Sequence, residues 1–306
     1  MNKISLITTV KNEEKSINVF LESIAEQTLK PDEIIIVDGG STDQTIKLLE
    51  DTKLNIRVIK KKGNRSVGRN EGIKNTKNSI IAVTDAGCIL NKHWFERITK
   101  PFEDKTVDVV AGFYKPVTNT VFEKCLSTYT CTMEDKLNKD TFLPSSRSVA
   151  FRKSAWEKVH GYPEHLDLCE DLVFDKKLKK EGMRFVTQEK AIVYWPQRKN
   201  IFQAFKQFYW YAKGDGQARY VRITTPFLFA RYLLGFFLLA YALVADNLVL
   251  IAVCCTFFVF YLLWSIAKNY KYVKDAKAVL YLPLLQIVSD IAVLFGMSVG
   301  HVRSLR

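Results

Sequence analysis

The stretch that most restricts what this chain can become is Glu33–Thr45, EIIIVDGGSTDQT. Ile34–Val37 is an unbroken apolar run rich in β-branched residues, the pattern of a strand buried on both faces. It delivers Asp38, after which Gly39 and Gly40 permit a turn that a side chain would crowd. Ser41, Thr42 and Asp43 offer caps for a helix over roughly 44–51. A carboxylate at the carboxyl end of a buried strand, beside a helix N-terminus, lies where open α/β sheets bind ligands. Asp38 alone is read equally well as a cap of its own turn.

Strand and helix signals alternate from the start of the chain. Strands are predicted at 4–8, 54–59, 80–84 and 107–111, and helices at 16–27, 65–77 and 94–102. Alternation at this spacing predicts βαβ units and a mostly parallel sheet. The rhythm then loosens, with a helix over 121–137, a strand over 146–151, helices over 153–159 and 169–180, and late strands at 184–187 and 191–194. The opening MNKISLITTV has no charged-then-apolar export signal, so the N-terminal part is expected in the cytosol. Six scattered cysteines without a CxxC pair point to free thiols and away from zinc.

The last third differs in kind. Of the net charge of +13, residues 200–306 supply +7, from 11 Lys and Arg against 4 Asp. Basic residues flanking apolar runs suit an anionic membrane surface rather than nucleic acid. In 201–221 the aromatics Phe202, Phe205, Phe208, Tyr209, Trp210 and Tyr211 interleave with Lys206, Lys213 and Arg219, which suits an element lying at headgroup level. Residues 227–245 and 248–267 are apolar runs of roughly 28–30 Å as helices, enough for a bilayer core. The lysine-rich loop at 268–277 keeps both ends of that hairpin on the cytosolic side. A third run, 278–300, contains Pro283, Gln286 and Asp290, so two or three segments span; Asp290 is expected in a hydrogen bond between helices. The expected organisation is 1–198 as an α/β domain, 199–225 as an interface segment and 226–306 as transmembrane helices.

Glu13, Asp38 and Asp85 each follow a predicted strand, and Glu170-Asp171 opens a late helix. Acids gathered at one sheet edge repel unless a cation or hydrogen-bond donor shares the site. In this order, TVKNEE at 9–14, IIVDGGSTDQT at 35–45, GRNEGI at 68–73, TDAGC at 84–88 and CED at 169–171 resemble glycosyltransferase family 2. The resemblance implies a GT-A fold: a Rossmann-like, mixed and mostly parallel sheet with flanking helices. It further implies that Thr9, Asn12, Glu13, Asp38, Arg69, Asp85 and Ala86 bind a nucleotide-sugar donor, with Arg69 reaching a phosphate. Asp85 stands at the first acid of the family's Asp-x-Asp motif and would hold Mg or Mn. Asp171 would be the catalytic base, with Glu170 its neighbour.

The implied reaction is an inverting displacement onto a hydroxyl or phosphate of a glycan or lipid-linked acceptor at the cytosolic face of the cell membrane. Two departures from the family pattern stand out. Gly87 replaces the second, metal-coordinating acid, and the Gln-x-x-Arg-Trp motif of processive synthases is absent as such. A processive polysaccharide synthase and a non-catalytic sugar-nucleotide-binding scaffold are the alternatives.

Overall fold

Among residues 3–304, which the computed structural model describes, eight strands form one sheet in the order β3-β2-β1-β4-β7-β6-β8-β5. Its parallel half comprises β1 (Ile4–Val10), β2 (Glu33–Asp38), β3 (Arg57–Lys60) and β4 (Ile80–Val83). The short β5 is Ile89–Leu90, and β6 (Val109–Val117), β7 (Val149–Arg152) and β8 (Phe185–Pro196) complete the mixed half. There β7 runs antiparallel to both β4 and β6, while β6 and β8 are parallel. The two late strands expected at 184–187 and 191–194 are one continuous strand, because β6 supplies a partner along both.

Helices connect and cover this sheet: α1 (Ile17–Ala25), α2 (Thr45–Glu50), α3 (Arg65–Lys74) and α4 (Trp94–Thr99) in the first half. In α1 the buried residues Ile17, Phe20, Leu21 and Ile24 fall at helical spacing, so one stripe faces the core. Asn64 caps α3, its side-chain oxygen accepting from Val67 N at 3.0 Å. The helix then lies tight on the sheet, because a Cβ at Gly68 would come within 2.8 Å of the Thr9 side chain. The hydrophobic core on this side joins Ile7, Ile35, Val37 and Val83 to Phe151, Tyr162 and Phe174.

The chain divides into two compact units, 1–117 with 131–196, and 118–130 with 197–306. The segment inserted into the second unit is α5 (Val121–Thr130), shorter than the helix expected over 121–137. It opens on a capping box: Glu123 accepts from Thr120 N at 3.0 Å while Thr120 Oγ1 accepts from Glu123 N at 3.2 Å. The first unit continues with α6 (Lys153–Lys158) and α7 (Glu170–Lys180); the second holds α8 (Ile201–Gln217), α9 (Thr224–Val244), α10 (Leu248–Val273) and α11 (Ala278–Ser304).

Among the described residues, α9, α10 and α11 are long and apolar enough to cross a membrane. In α9 and α10 large apolar side chains such as Phe236, Phe237, Phe257 and Phe260 are exposed. By contrast α11 packs closely along α8: a Cβ on Gly296 would sit 2.4 Å from Tyr209 O, and one on Gly300 2.2 Å from Lys213 O. Small residues spaced by four let helix backbones approach this way. Asp290 ties three helices, its carboxylate accepting from Tyr261 (2.5 Å), Tyr232 (2.9 Å), Arg231 (3.2 Å) and Gln286 (3.0 Å). An acid in an apolar helix is thereby matched by interhelical donors.

Candidate active site

The carboxyl ends of β1, β2 and β4 share one edge of the sheet. Val10 is opposite Asp38, and Ile7 is opposite Val83 two residues before Asp85. A cavity of about 510 Å³ opens there, lined by Thr9, Glu13, Gly39, Lys62, Arg65 and Asp167 among others. Asn12, in the left-handed region at φ 57°, and Asp38 organise the loop beside it. Asn12 N donates to Ser41 Oγ at 2.9 Å, and Asn12 Oδ1 accepts from Thr42 N at 2.8 Å. The buried Asp38 carboxylate accepts from Gly40 N at 3.0 Å and Ser41 N at 3.1 Å. Its role as a cap of the Gly turn is therefore visible in its contacts, and Gly40 adopts φ 99° to make that turn. Glu13 also anchors its own loop, with Ser16 Oγ donating to its carboxylate and Glu13 N donating to Thr45 Oγ1 at 2.7 Å.

A second knot lies along α3. Arg69, only 2 % exposed, donates from Nη1 to Glu170 Oε1 at 2.7 Å and from Nη2 to Asp85 Oδ1 at 2.9 Å. Its guanidinium also lies 5.4 Å from the centre of the Tyr162 ring. Both terminal nitrogens of Arg69, the residue expected to reach a donor phosphate, are engaged inside the protein. Next to it, Asn70 Nδ2 donates to Tyr162 O and Glu164 Oε1, each at 2.9 Å, and Asn70 Oδ1 accepts from Trp156 Nε1 and Tyr162 N. The pair Arg69-Asn70 thus fastens α3 to the loop that leads into α7.

That loop ends at Cys169, in the left-handed region at φ 65°, and α7 begins with Glu170 and Asp171 in its first turn. Glu170 is buried and Asp171 half-buried, with Asp171 Oδ1 accepting from Leu172 N at 2.8 Å. Burial pushes the Glu170 carboxyl up, against the pull of Arg69 and with a further push from Asp171. Asp85 moves the other way: burial opposes its charge, but Arg69, then Arg147 and Arg65, hold it below the ordinary carboxylate range. Ala86 is buried beside it. Two groups escape a reading by motif. Asp175, one helical turn after Asp171, is buried with Oδ2 lacking a partner, and Arg147 acts on Asp85 from β7's side of the sheet. The helical i, i+4 spacing was the available signal for Asp175; Arg147 left none, because its relation to Asp85 comes from strand pairing.

The glycosyl transferase family 2 profile matches residues 5–158, which include both knots' strand ends and the whole of α3. The chain belongs to glycosyl transferase family 2. Among its relatives is the O-antigen chain rhamnosyltransferase RfbN of Salmonella typhimurium, 28% identical over 206 residues covering 62% of this chain and 65% of that protein. Another is the poly(ribitol-phosphate) β-N-acetylglucosaminyltransferase TarS of Staphylococcus aureus, 27% identical over 203 residues, 63% of this chain and 35% of that one. The chain therefore spans less than two thirds of the length of these relatives. Among solved structures, the mannosyltransferase PcManGT of Pyrobaculum calidifontis, in complex with GDP-Man and Mn2+, covers 96% of this chain and 87% of its own at a TM-score of 0.65 and 19% identity. It shares the fold, which is GT-A with C-terminal helices. The family 2 sheet of this chain is accordingly the mixed, mostly parallel GT-A sheet.

The chain's own side chains offer a divalent ion a thin donor set in this family 2 member. Among the described residues no three His, Cys, Asp or Glu side chains gather as ligands. Asp85, expected to hold the ion, has Arg69 on its Oδ1, and three guanidinium groups act on it. At Gly87 a Cβ would meet nothing within 4 Å, so the space where the family often carries a second acid is open but holds no ligand atom. Cations crowded on a lone carboxylate oppose a further 2+ charge.

Proposed function

We propose that the chain is an inverting glycosyltransferase that moves a sugar from a nucleoside-diphosphate donor to an acceptor hydroxyl or phosphate. The observation that carries this reading is the Arg69 bridge, which joins Asp85 on the donor strand edge to Glu170 at the start of α7. Asp85 and Glu170 then belong to one construction, and Asp171 follows Glu170 in the first turn of α7.

In this reading the base and ribose of the donor enter the cavity at Thr9 and Glu13, over the loop that Asn12 and Asp38 hold. Asp85 and Ala86 border the ribose and diphosphate. The acceptor oxygen attacks the anomeric carbon in line, and the new C–O bond forms as the bond to the diphosphate oxygen breaks. The leaving nucleoside diphosphate keeps the electron pair. For a hydroxyl acceptor, Asp171 takes the proton. Arg69 and Glu170 touch neither reactant; they fix the strand edge and α7 at a set separation. Charge growing on the diphosphate is stabilised by the chain's own cations, and no step here depends on a metal ion.

The three apolar helices support membrane attachment, and the aromatic-basic face of α8 supports a lipid-linked acceptor presented from the cytosolic leaflet, in surface-glycan assembly. RfbN and TarS, named for O-antigen and poly(ribitol-phosphate) acceptors, support the same class. The test is a donor screen of the full chain in detergent with membrane lipid extract as acceptor. Asp171→Asn is expected to cut turnover on the identified donor by about 10²–10⁴ with donor affinity within a few-fold of wild type. Undiminished turnover would remove Asp171 from this role. Nucleotide binding with no transfer to any acceptor would favour the scaffold.

A further inference from the structure

The three long apolar helices of the second unit are not equivalent, because α11 is tied to α8. Gly296 approaches the backbone of Tyr209 and Gly300 that of Lys213. Further on, a Cβ at Gly216 would sit 2.6 Å from Met297 O, and Arg219 Nη2 donates to Ser304 O at 2.9 Å. Residue numbers rise together along the two, from 209 against 296 to 219 against 304, so α8 and α11 are parallel neighbours.

Direction decides what can cross a bilayer, since successive crossings alternate. Were α8, α9, α10 and α11 all to cross in turn, α8 and α11 would run in opposite directions. The pair that does cross is α9 with α10: only residues 245–247 join them, and both expose large phenylalanines. A hairpin returns the chain to the side it left, so α8 ends and α11 begins on one and the same side. Crossing of α11 from there would carry α8 across beside it, in the same direction. The end of α8 would then lie on the opposite side from the start of α9.

The side chains agree with the direction. Within 17 residues α8 buries Gln207, Lys213 and Asp215 and exposes Gln203 and Lys206, a set that hydrocarbon rejects. On α11 the exposed Leu280, Leu284, Ile291, Phe295 and Val302 fall within about 60° of the helix circumference at 3.6 residues per turn. Gln286, Asp290 and Gly296 on its other faces are buried in protein. A narrow apolar stripe on a helix otherwise covered by protein suits a position in the interface plane. Asp290 is bonded to Arg231, about 10 Å from the start of α9, which holds α11 to the root of the hairpin where Arg231 can reach headgroups.

We infer that α8 and α11 form one two-helix platform resting in the headgroup–acyl boundary of the cytosolic leaflet, and that only α9 and α10 cross. Lys268, Lys271, Lys274 and Lys277 belong to the same side as the platform, where anionic lipid headgroups attract them. Ser304, at the end of α11, then lies on the cytosolic side, and the Asp246-Asn247 turn on the other.

The test uses the full chain in membrane vesicles of both orientations, its six cysteines changed to Ser and one Cys introduced as Asn247→Cys or Arg303→Cys. A membrane-impermeant maleimide is expected to label Asn247→Cys in right-side-out vesicles alone and Arg303→Cys in inverted vesicles alone. Labelling of Arg303→Cys in right-side-out vesicles, or of Asn247→Cys in inverted vesicles alone, overturns the inference. A second readout keeps every native cysteine: the full chain carries, after Arg306, either green fluorescent protein, which folds in the cytosol, or alkaline phosphatase, which folds only outside it. Fluorescence with loss of phosphatase activity is expected. Phosphatase activity with loss of fluorescence overturns the inference, and both results leave the glycosyltransferase reading standing.

Discussion

Replacing Arg69 by Met removes the one cation that Glu170 and Asp85 share while keeping most of the side-chain volume. Glu170 is 5 % exposed and loses its partner at 2.7 Å, so its charge is stranded. Asp85 is more open to water, with 30% of its side chain exposed, so its share is discounted for solvent screening. Breaking a buried pair from one side costs roughly 3–5 kcal/mol, most of it here from Glu170. For a domain of this size that is a fall in Tm of roughly 6–20 °C. The pH response separates this cause from simple loss of packing. The Glu170 carboxyl is already raised by burial, and without Arg69 it rises further. A raised carboxyl pKa leaves stability intact at low pH and removes it as pH climbs through the folded value. The variant should therefore lose most near pH 8 and recover much of the loss near pH 5. Arg69→Met with Glu170→Gln should regain most of it at both. Tryptophan-fluorescence melting of the full chain in detergent reads wild type and both variants. A loss of less than about 2 °C near pH 8, the size expected of an exposed ion pair, would refute the argument. So would a loss equal at the two pH values.

Other outcomes follow from single positions. Asp175→Asn should raise Tm, because burial and then Asp171, against Lys179, push the Asp175 carboxyl well above its ordinary 3.8. The gain should be absent below about pH 4 and grow as pH rises towards the folded value; a gain independent of pH would contradict it. Gly300→Val should drive α8 and α11 apart and cost about 1–3 kcal/mol, read as a lower Tm in detergent, since its Cβ alone meets Lys213 O at 2.2 Å. Melting unchanged by that substitution would show that the two helices are not packed this way.

Much of the architecture could be read before any coordinates, because its signals are local. The buried run at 34–37, the helical stripe of Ile17, Phe20, Leu21 and Ile24, and the apolar lengths after residue 226 each declare one element within a few residues. The ends of elements and the pairing of distant ones were less legible. Residues 185–196 read as two strands because nothing local marks β6 as their common partner. At the site, motif order located Asp85, Glu170 and Arg69 but not the direction in which Arg69 points, since burial of a guanidinium depends on Glu170, 101 residues away. Asp38 looks the same in sequence whether it meets a ligand or caps a turn, and only the amides of Gly40 and Ser41 show the cap. Arg147 had no signature at all, because its place opposite Asp85 exists only once β4 and β7 have paired.

The insertion of α5 among the C-terminal helices has a consequence for how the protein is made. Cys125 and Leu126 bury against Leu282, Leu285 and Ala292, and Tyr129 OH donates to Leu282 O at 2.8 Å. A nascent chain emerging from the ribosome therefore exposes the greasy side of α5 for more than half of its translation, until the last membrane-type helix arrives to cover it. Biogenesis has to shelter that stretch meanwhile, and cutting the gene after residue 197 would leave it bare for good, so excising the catalytic half as a stand-alone soluble fragment calls for redesigning α5 as well.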